Sequence, residues 1–139
     1  MFVDLDKFKP INDTYGHEAG DFMLHTVAKR LSGCLRASDT AARVGGDEFL
    51  VLLPDIPSGA DALAVAEKIR SALAEPCLSP DGIELCISAS IGIAIYPEHA
   101  GSEHELLRLG DRAMYEAKSA GGNRVKLFSP ESGSGHSAA

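Results

Sequence analysis

Residues 42–53 read ARVGGDEFLVLL, apolar runs on either side of two glycines and two acids. Two apolar runs joined by a short glycine-containing turn specify an antiparallel hairpin. Residues 39–53 are therefore expected to form two strands that meet at Gly45–Glu48. A lone hairpin is marginal in water, so this stretch commits the chain to a larger sheet. The glycines would give the turn positive φ and let a ligand approach the backbone. Asp47 and Glu48 are the anomaly. Either they are the solvated acids of an ordinary turn or they hold a cation.

The rest of the pattern supplies partners for the hairpin. MFVDL at residues 1–5 reads as a strand, and residues 124–128 as the last one. Residues 18–36 read as a helix with Leu24, Val27, Ala28, Leu31 and Leu35 on one stripe. Residues 60–74 form a second, with Ala62, Ala66, Ile69 and Leu73 inward, and residues 103–119 a third, with Leu106, Leu107, Ala113, Met114 and Ala117 inward. Residues 84–96, rich in isoleucine, read as a hairpin or one long strand. The expected class is α/β (α+β), a mostly antiparallel central sheet flanked by helices. Residues 1–128 are expected to be one domain, and the small polar stretch 129–139 a disordered tail or linker.

The formal charge of −7 argues against a nucleic-acid polymer as partner, which calls for a basic face. It leaves room for a single nucleotide held by a few placed cations. No apolar run reaches the length of a membrane span, and the start has no signal-peptide layout, so a cytoplasmic domain without membrane contact is expected. Cys34, Cys77 and Cys86 make no metal-ligand spacing and are expected to be reduced thiols filling core space.

A second acid pair, Asp4 and Asp6, lies in VDLD. Strand alternation puts both carboxylates on one face, with Val3 and Leu5 on the other. Alone, the pair fits a solvated strand end. If this strand neighbours the hairpin, Asp4 and Asp47 can point at one cation, the minimum platform for magnesium and a nucleoside triphosphate. Lys7 and Lys9 place cations close by. Asn12 and Asp21 flank a turn loosened by Gly16 and Gly20. A carboxylate there can accept both donors of a guanine edge, or Asp21 can cap the following helix.

Taken in order, DLDKFKPINDTYGHEAGD, RASDTAARVGGDEF, SASIGIAIYP and GDRAMYEAKSAGGNRV resemble the GGDEF family of diguanylate cyclases over residues 1 to 128. The resemblance implies a palm-like nucleotidyl cyclase fold and condensation of two GTP molecules into cyclic di-GMP by a homodimer. It implies that Asp4, the Leu5 carbonyl and Asp47 hold magnesium, or manganese in its place, and that Glu48 sits beside the reacting 3′-hydroxyl or a second metal. Gly45 and Gly46 would bring main chain against the phosphates, which Phe8 and Lys9 would also contact. Asn12 and Asp21 would read guanine, Lys118 would hold the terminal phosphates, and Asp6 would support the site. Arg36 and Asp39 match the RxxD product-inhibition motif, with Lys68 a further cation for it.

The sequence departs from the family in two respects. A helix and a DxLTGLxNR-like segment normally precede the first strand, so the fold is expected with that N-terminal segment missing and turnover by these residues alone to be slow. Gly122 stands where an AKxxGRN pattern has a phosphate-binding arginine, and Arg124 is two residues away. A second reading follows from these departures: a receptor for cyclic di-GMP or GTP, or a regulatory domain of a larger signalling protein. VKLFSPES resembles the junction to an EAL phosphodiesterase domain.

Overall fold

The computed structural model describes residues 1–130. Its elements in order are β1 (Phe2–Asp6), α1 (Phe8–Tyr15), α2 (His17–Gly33), β2 (Thr40–Arg43), β3 (Glu48–Leu52), α3 (Gly59–Leu73), β4 (Cys77–Leu78), β5 (Glu84–Leu85), β6 (Ser88–Ile93), α4 (Glu103–Ser119) and β7 (Arg124–Leu127). The main sheet runs β2-β3-β1-β6-β7, and β4 and β5 form a separate hairpin. β1 pairs antiparallel with both β3 and β6, and β2 pairs antiparallel with β3. Only the edge pair β6–β7 is parallel. This is the mostly antiparallel sheet with flanking helices that the sequence predicts.

Alternation divides the sheet into two chemically different faces. Val3, Leu5, Phe49, Val51, Ala89, Ile91 and Ile93 are buried with Ile11, Met23, Val27, Leu31, Ala62, Ala66, Ile69 and Leu73 in one core. Helices α1, α2 and α3 therefore cover the apolar face. Helix α4 lies on the other face and crosses β6 at Gly92. A Cβ on Gly92 would stand 2.0 Å from the Met114 nitrogen and 2.4 Å from the Gly110 oxygen. The absent side chain lets the backbones of helix and strand touch. Serines begin α3 and α4: Ser58 Oγ accepts from the Asp61 N–H and Ser102 Oγ from the Glu105 N–H. Both are Ser-x-x-acid starts of the capping-box kind.

Several expectations need correction. The turn expected between Asn12 and Asp21 is reduced to Gly16, because Asn12 lies within α1 and Asp21 within α2. Asp21 does not cap α2. The cap position is Gly16, without a side-chain bond, and Asp21 lies inside the helix. On α2 the buried stripe is Met23, Val27 and Leu31, whereas Ala28 is exposed. Residues 84–96 are neither one strand nor a hairpin: β5 pairs with β4, while β6 pairs with β1 and β7. Cys34 and Cys77 are half-buried and pack against the core, but Cys86 is exposed and fills no core space. Of the expected tail, residues 131–139 lie outside the described residues.

Gly92→Ala should push α4 off the sheet and destabilise the domain by about 1–3 kcal/mol, the usual range for overpacking. Gly33→Ala, where a Cβ meets nothing within 4 Å, should be neutral or stabilising by up to about 1 kcal/mol. Urea unfolding midpoints of the two variants check the contrast.

Candidate active site

The register of β1 on β3 puts Asp4 directly opposite Glu48, and the next backbone bond runs from the Leu5 N–H to the Asp47 oxygen at 3.0 Å. The two acid pairs thus meet at one end of the central strands, as the sequence implies. The turn between them is held by its own backbone. The Val44 and Gly45 N–H groups both donate to the Glu48 oxygen, at 2.9 and 3.3 Å. Arg43 Nε donates to the Gly45 and Gly46 carbonyls at 3.0 and 3.1 Å. The expected positive φ at these glycines is not found: among the described residues the glycines with positive φ are Gly16, Gly82, Gly121 and Gly122. What Gly46 contributes is open space, since a Cβ there would meet nothing within 4 Å.

Helix α4 delivers the cation. Lys118 Nζ donates to Asp4 Oδ1 at 2.6 Å and to the Leu5 carbonyl at 3.2 Å. Asp6 does something else. Its Oδ2 accepts from Ser88 Oγ at 2.7 Å and from the Asn123 N–H at 2.8 Å, and its Oδ1 accepts from Ser90 Oγ at 2.7 Å. Asp6 therefore ties the end of α4 and the loop after it to β1 and β6. Gly122 fits against this carboxylate with φ +74, and a Cβ there would lie 2.9 Å from it. Arg124 turns back to this loop, its Nε donating to the Gly122 carbonyl at 3.1 Å.

Burial raises the pKa of Asp4, opposed by the Lys118 bond and reinforced by the charges of Asp47 and Asp6. Glu48 is also raised, first by burial and then by Asp4, Asp111 and Asp47. Sequence reasoning missed Asp111, Ser88 and Ser90. Asp111 lies seven residues before Lys118 on α4, two helical turns, so both share a face. Ser88 and Ser90 alternate with the buried Ala89 and Ile91 and so share the face of Asp6.

The other expected binding residues spread outward from this centre. Phe8 and Lys9 open α1; Phe8 packs against the core and Lys9 is exposed. The Asn12 side chain lies over Gly20, with Oδ1 1.7 Å from where a Cβ would be, which brings it beside the residue preceding Asp21. Asp21 lines a cavity of about 340 Å³ with Leu24, His25, Arg43 and Phe49 between α2 and the hairpin. Arg36 and Asp39 form a forked pair before β2, Nη2 to Oδ1 at 2.9 Å and Nε to Oδ2 at 3.2 Å. Arg36 also donates to the Pro54 carbonyl at 3.0 Å. The pairing holds the Asp39 carboxyl below its usual range. Lys68 is exposed on α3 and bonds to neither, so it is not drawn into this pair.

A raised carboxylate means that the folded state holds the proton more tightly than the unfolded chain. The stability linked to Glu48 is then fully present below its ordinary value of 4.5 and is lost as pH rises through the raised value. Glu48→Gln should accordingly raise the thermal midpoint at pH 7 without added metal, with the gain shrinking to nothing near pH 4. Thermal scans of both proteins across that range check it.

The family model for the diguanylate cyclase GGDEF domain matches residues 1–124. The chain is 51% identical over 118 residues to the diguanylate cyclase TpbB of Pseudomonas aeruginosa, which covers 85% of this chain and 27% of that protein. The crystal structure of the GGDEF domain of the same protein superposes with a TM-score of 0.89 at 48% identity, covering 92% of this chain and 80% of that one. The GGDEF domain of DgcB from Caulobacter crescentus, solved in complex with c-di-GMP, gives a TM-score of 0.84 at 30% identity, over 91% and 75% of the two chains. The chain spans between a quarter and about a third of the length of the curated relatives TpbB and diguanylate cyclase A of Treponema denticola. With acids, turn and lysine arranged as described and this match along nearly its whole length, the chain belongs to the GGDEF family of diguanylate cyclase domains.

Proposed function

We propose that this domain condenses two GTP molecules into cyclic di-GMP and diphosphate. The observation that carries the proposal is the convergence of Asp4, Asp47, Glu48 and Lys118 at one open end of the sheet. The donor set suits a hard divalent cation, magnesium or manganese. Asp4 Oδ1 and the Leu5 carbonyl already converge on one cationic atom, the Lys118 ammonium, and Asp47 adds a second carboxylate. No group of three or more His, Cys, Asp or Glu side chains among the described residues forms a ready metal cage. A partial oxygen set completed by phosphate oxygens is how magnesium sits in nucleotide sites. When bound, the cation would neutralise charge developing on the triphosphate.

The chain's own residues supply the rest. Asp21, in the cavity beside α2, accepts from the guanine edge, and Asn12 meets the adjacent group. The free N–H groups at the start of α1, at Phe8 and Lys9, face phosphate as helix N-termini do. Lys118 takes the terminal phosphates. Glu48, with its raised pKa, holds or accepts the proton of the attacking 3′-hydroxyl. Each subunit carries one GTP, so two copies must face each other. Residues 1–128 form the functional unit, acting in the cytoplasm. Arg36 and Asp39 form a product-binding site: the fork is already oriented, and a guanine or phosphate would replace the Pro54 carbonyl as its outer partner.

One observation favours a second reading, a receptor that binds without turnover. Gly122, crowded by Asp6, leaves the position of the family's phosphate-binding arginine without a side chain.

Turnover of GTP with magnesium, read by product mass, separates the two. The cyclase reading expects cyclic di-GMP with a specific rate that rises with protein concentration, and a loss of at least about a hundredfold in Asp47→Asn, a ligand of the catalytic cation. GTP binding without product at any concentration would establish the receptor instead. For the product site, Arg36→Ala should weaken cyclic di-GMP binding by at least about tenfold, since it removes a forked, charge-assisted donor. Equal affinities by calorimetry would reject that site.

A further inference from the structure

The ammonium of Lys118 lies between Asp4 Oδ1 and the Leu5 carbonyl, at 2.6 and 3.2 Å. These are two of the oxygens assigned above to the divalent cation, and the inference rests on that assignment. We propose that Lys118 and the metal exchange at this position, so that the triphosphate must draw the lysine away before the metal settles. Lys118 is then a positioning residue that couples metal binding to triphosphate binding.

Three features carry the proposal. A cation bound to both oxygens would stand in the bite that the ammonium fills, and magnesium–oxygen distances of about 2.0–2.1 Å leave no space for both. Asp6 is a poorer partner for the displaced lysine than Asp4 is. It is 4.0 Å from Nζ, and its two oxygens already accept from Ser88, Ser90 and the Asn123 N–H. The lysine does have an exit, because its side chain is 39% exposed, whereas that of Asp4 is only 16% exposed. Asp4 is thus shielded enough to need a cation, and Lys118 exposed enough to yield its place to one.

Metal arriving alone must break the Asp4–Lys118 pair and leave the ammonium with water and the longer contact to Asp6 Oδ1. A triphosphate offers the ammonium a new anionic partner, so metal and triphosphate each strengthen binding of the other. Such coupling is reciprocal by thermodynamic necessity. It would keep the site from filling with metal before substrate arrives.

The test is a Mn2+ titration of the full chain without nucleotide, followed by electron paramagnetic resonance. It compares wild type, Lys118→Met, Lys118→Gln and Asp4→Asn. Both lysine variants should bind Mn2+ about tenfold more tightly than wild type, the scale of one lost charge-assisted competitor. Asp4→Asn should bind more weakly. Equal or weaker binding by both lysine variants, with Asp4→Asn still impaired, overturns the exchange and leaves the metal assignment standing. Unchanged binding in Asp4→Asn overturns the assignment and the exchange with it.

Discussion

Like charges placed opposite one another on neighbouring strands repel, and this chain puts Asp4 opposite Glu48 at the end of its two most central antiparallel strands. Asp47 and Asp111 add to the same field. Such a cluster can persist only if the surrounding structure fixes it, because each carboxylate would otherwise turn toward water. The fixing is divided among separate devices. β-Pairing sets the register, the Leu5–Asp47 backbone bond extends it past the strand end, and Lys118 brings one compensating charge. The cluster is therefore an arrangement that costs stability and that these contacts hold in place.

The position of Lys118 depends on contacts far from it. α4 can lie close enough to the sheet because Gly92 has no side chain, and it stays there because Ala113, Met114 and Ala117 are buried. The following loop then returns to Asp6, whose carboxylate collects two serine hydroxyls and the Asn123 N–H. Asp4 and Asp6 look equivalent in VDLD, yet they have opposite fates. One carboxylate pairs with the Lys118 ammonium, and the other mainly holds the scaffold.

The two-sided sheet explains how much was legible in the sequence. Period-two alternation in VDLD and EFLVL, and helical stripes such as Ala62, Ala66, Ile69 and Leu73, each depend on residues close together in the chain. They read correctly without a partner in view. Helix α1 was missed because FKPINDTY carries a proline and polar residues that look like a turn, while a single buried residue, Ile11, anchors it. The break at Cys86–Ile87 was missed because IELCISASI has no glycine or proline to mark it, and periodicity cannot show that β5 leaves for another hairpin.

At the site, the residues that escaped notice are those whose meaning comes from distant partners. Ser88 and Ser90 lie 82 and 84 positions from Asp6, and Asn123 lies 117 positions away. Nothing local marks them, since a serine alternating with alanine is ordinary strand chemistry. Lys68 is a different case. The resemblance alone marks it, and its exposed side chain bonds to neither Arg36 nor Asp39. β-Pairing sets Asp4 opposite Glu48 through the backbone, so local pattern is enough to bring those two together. A long exposed side chain on a separate helix is placed by contacts that chain connectivity does not record.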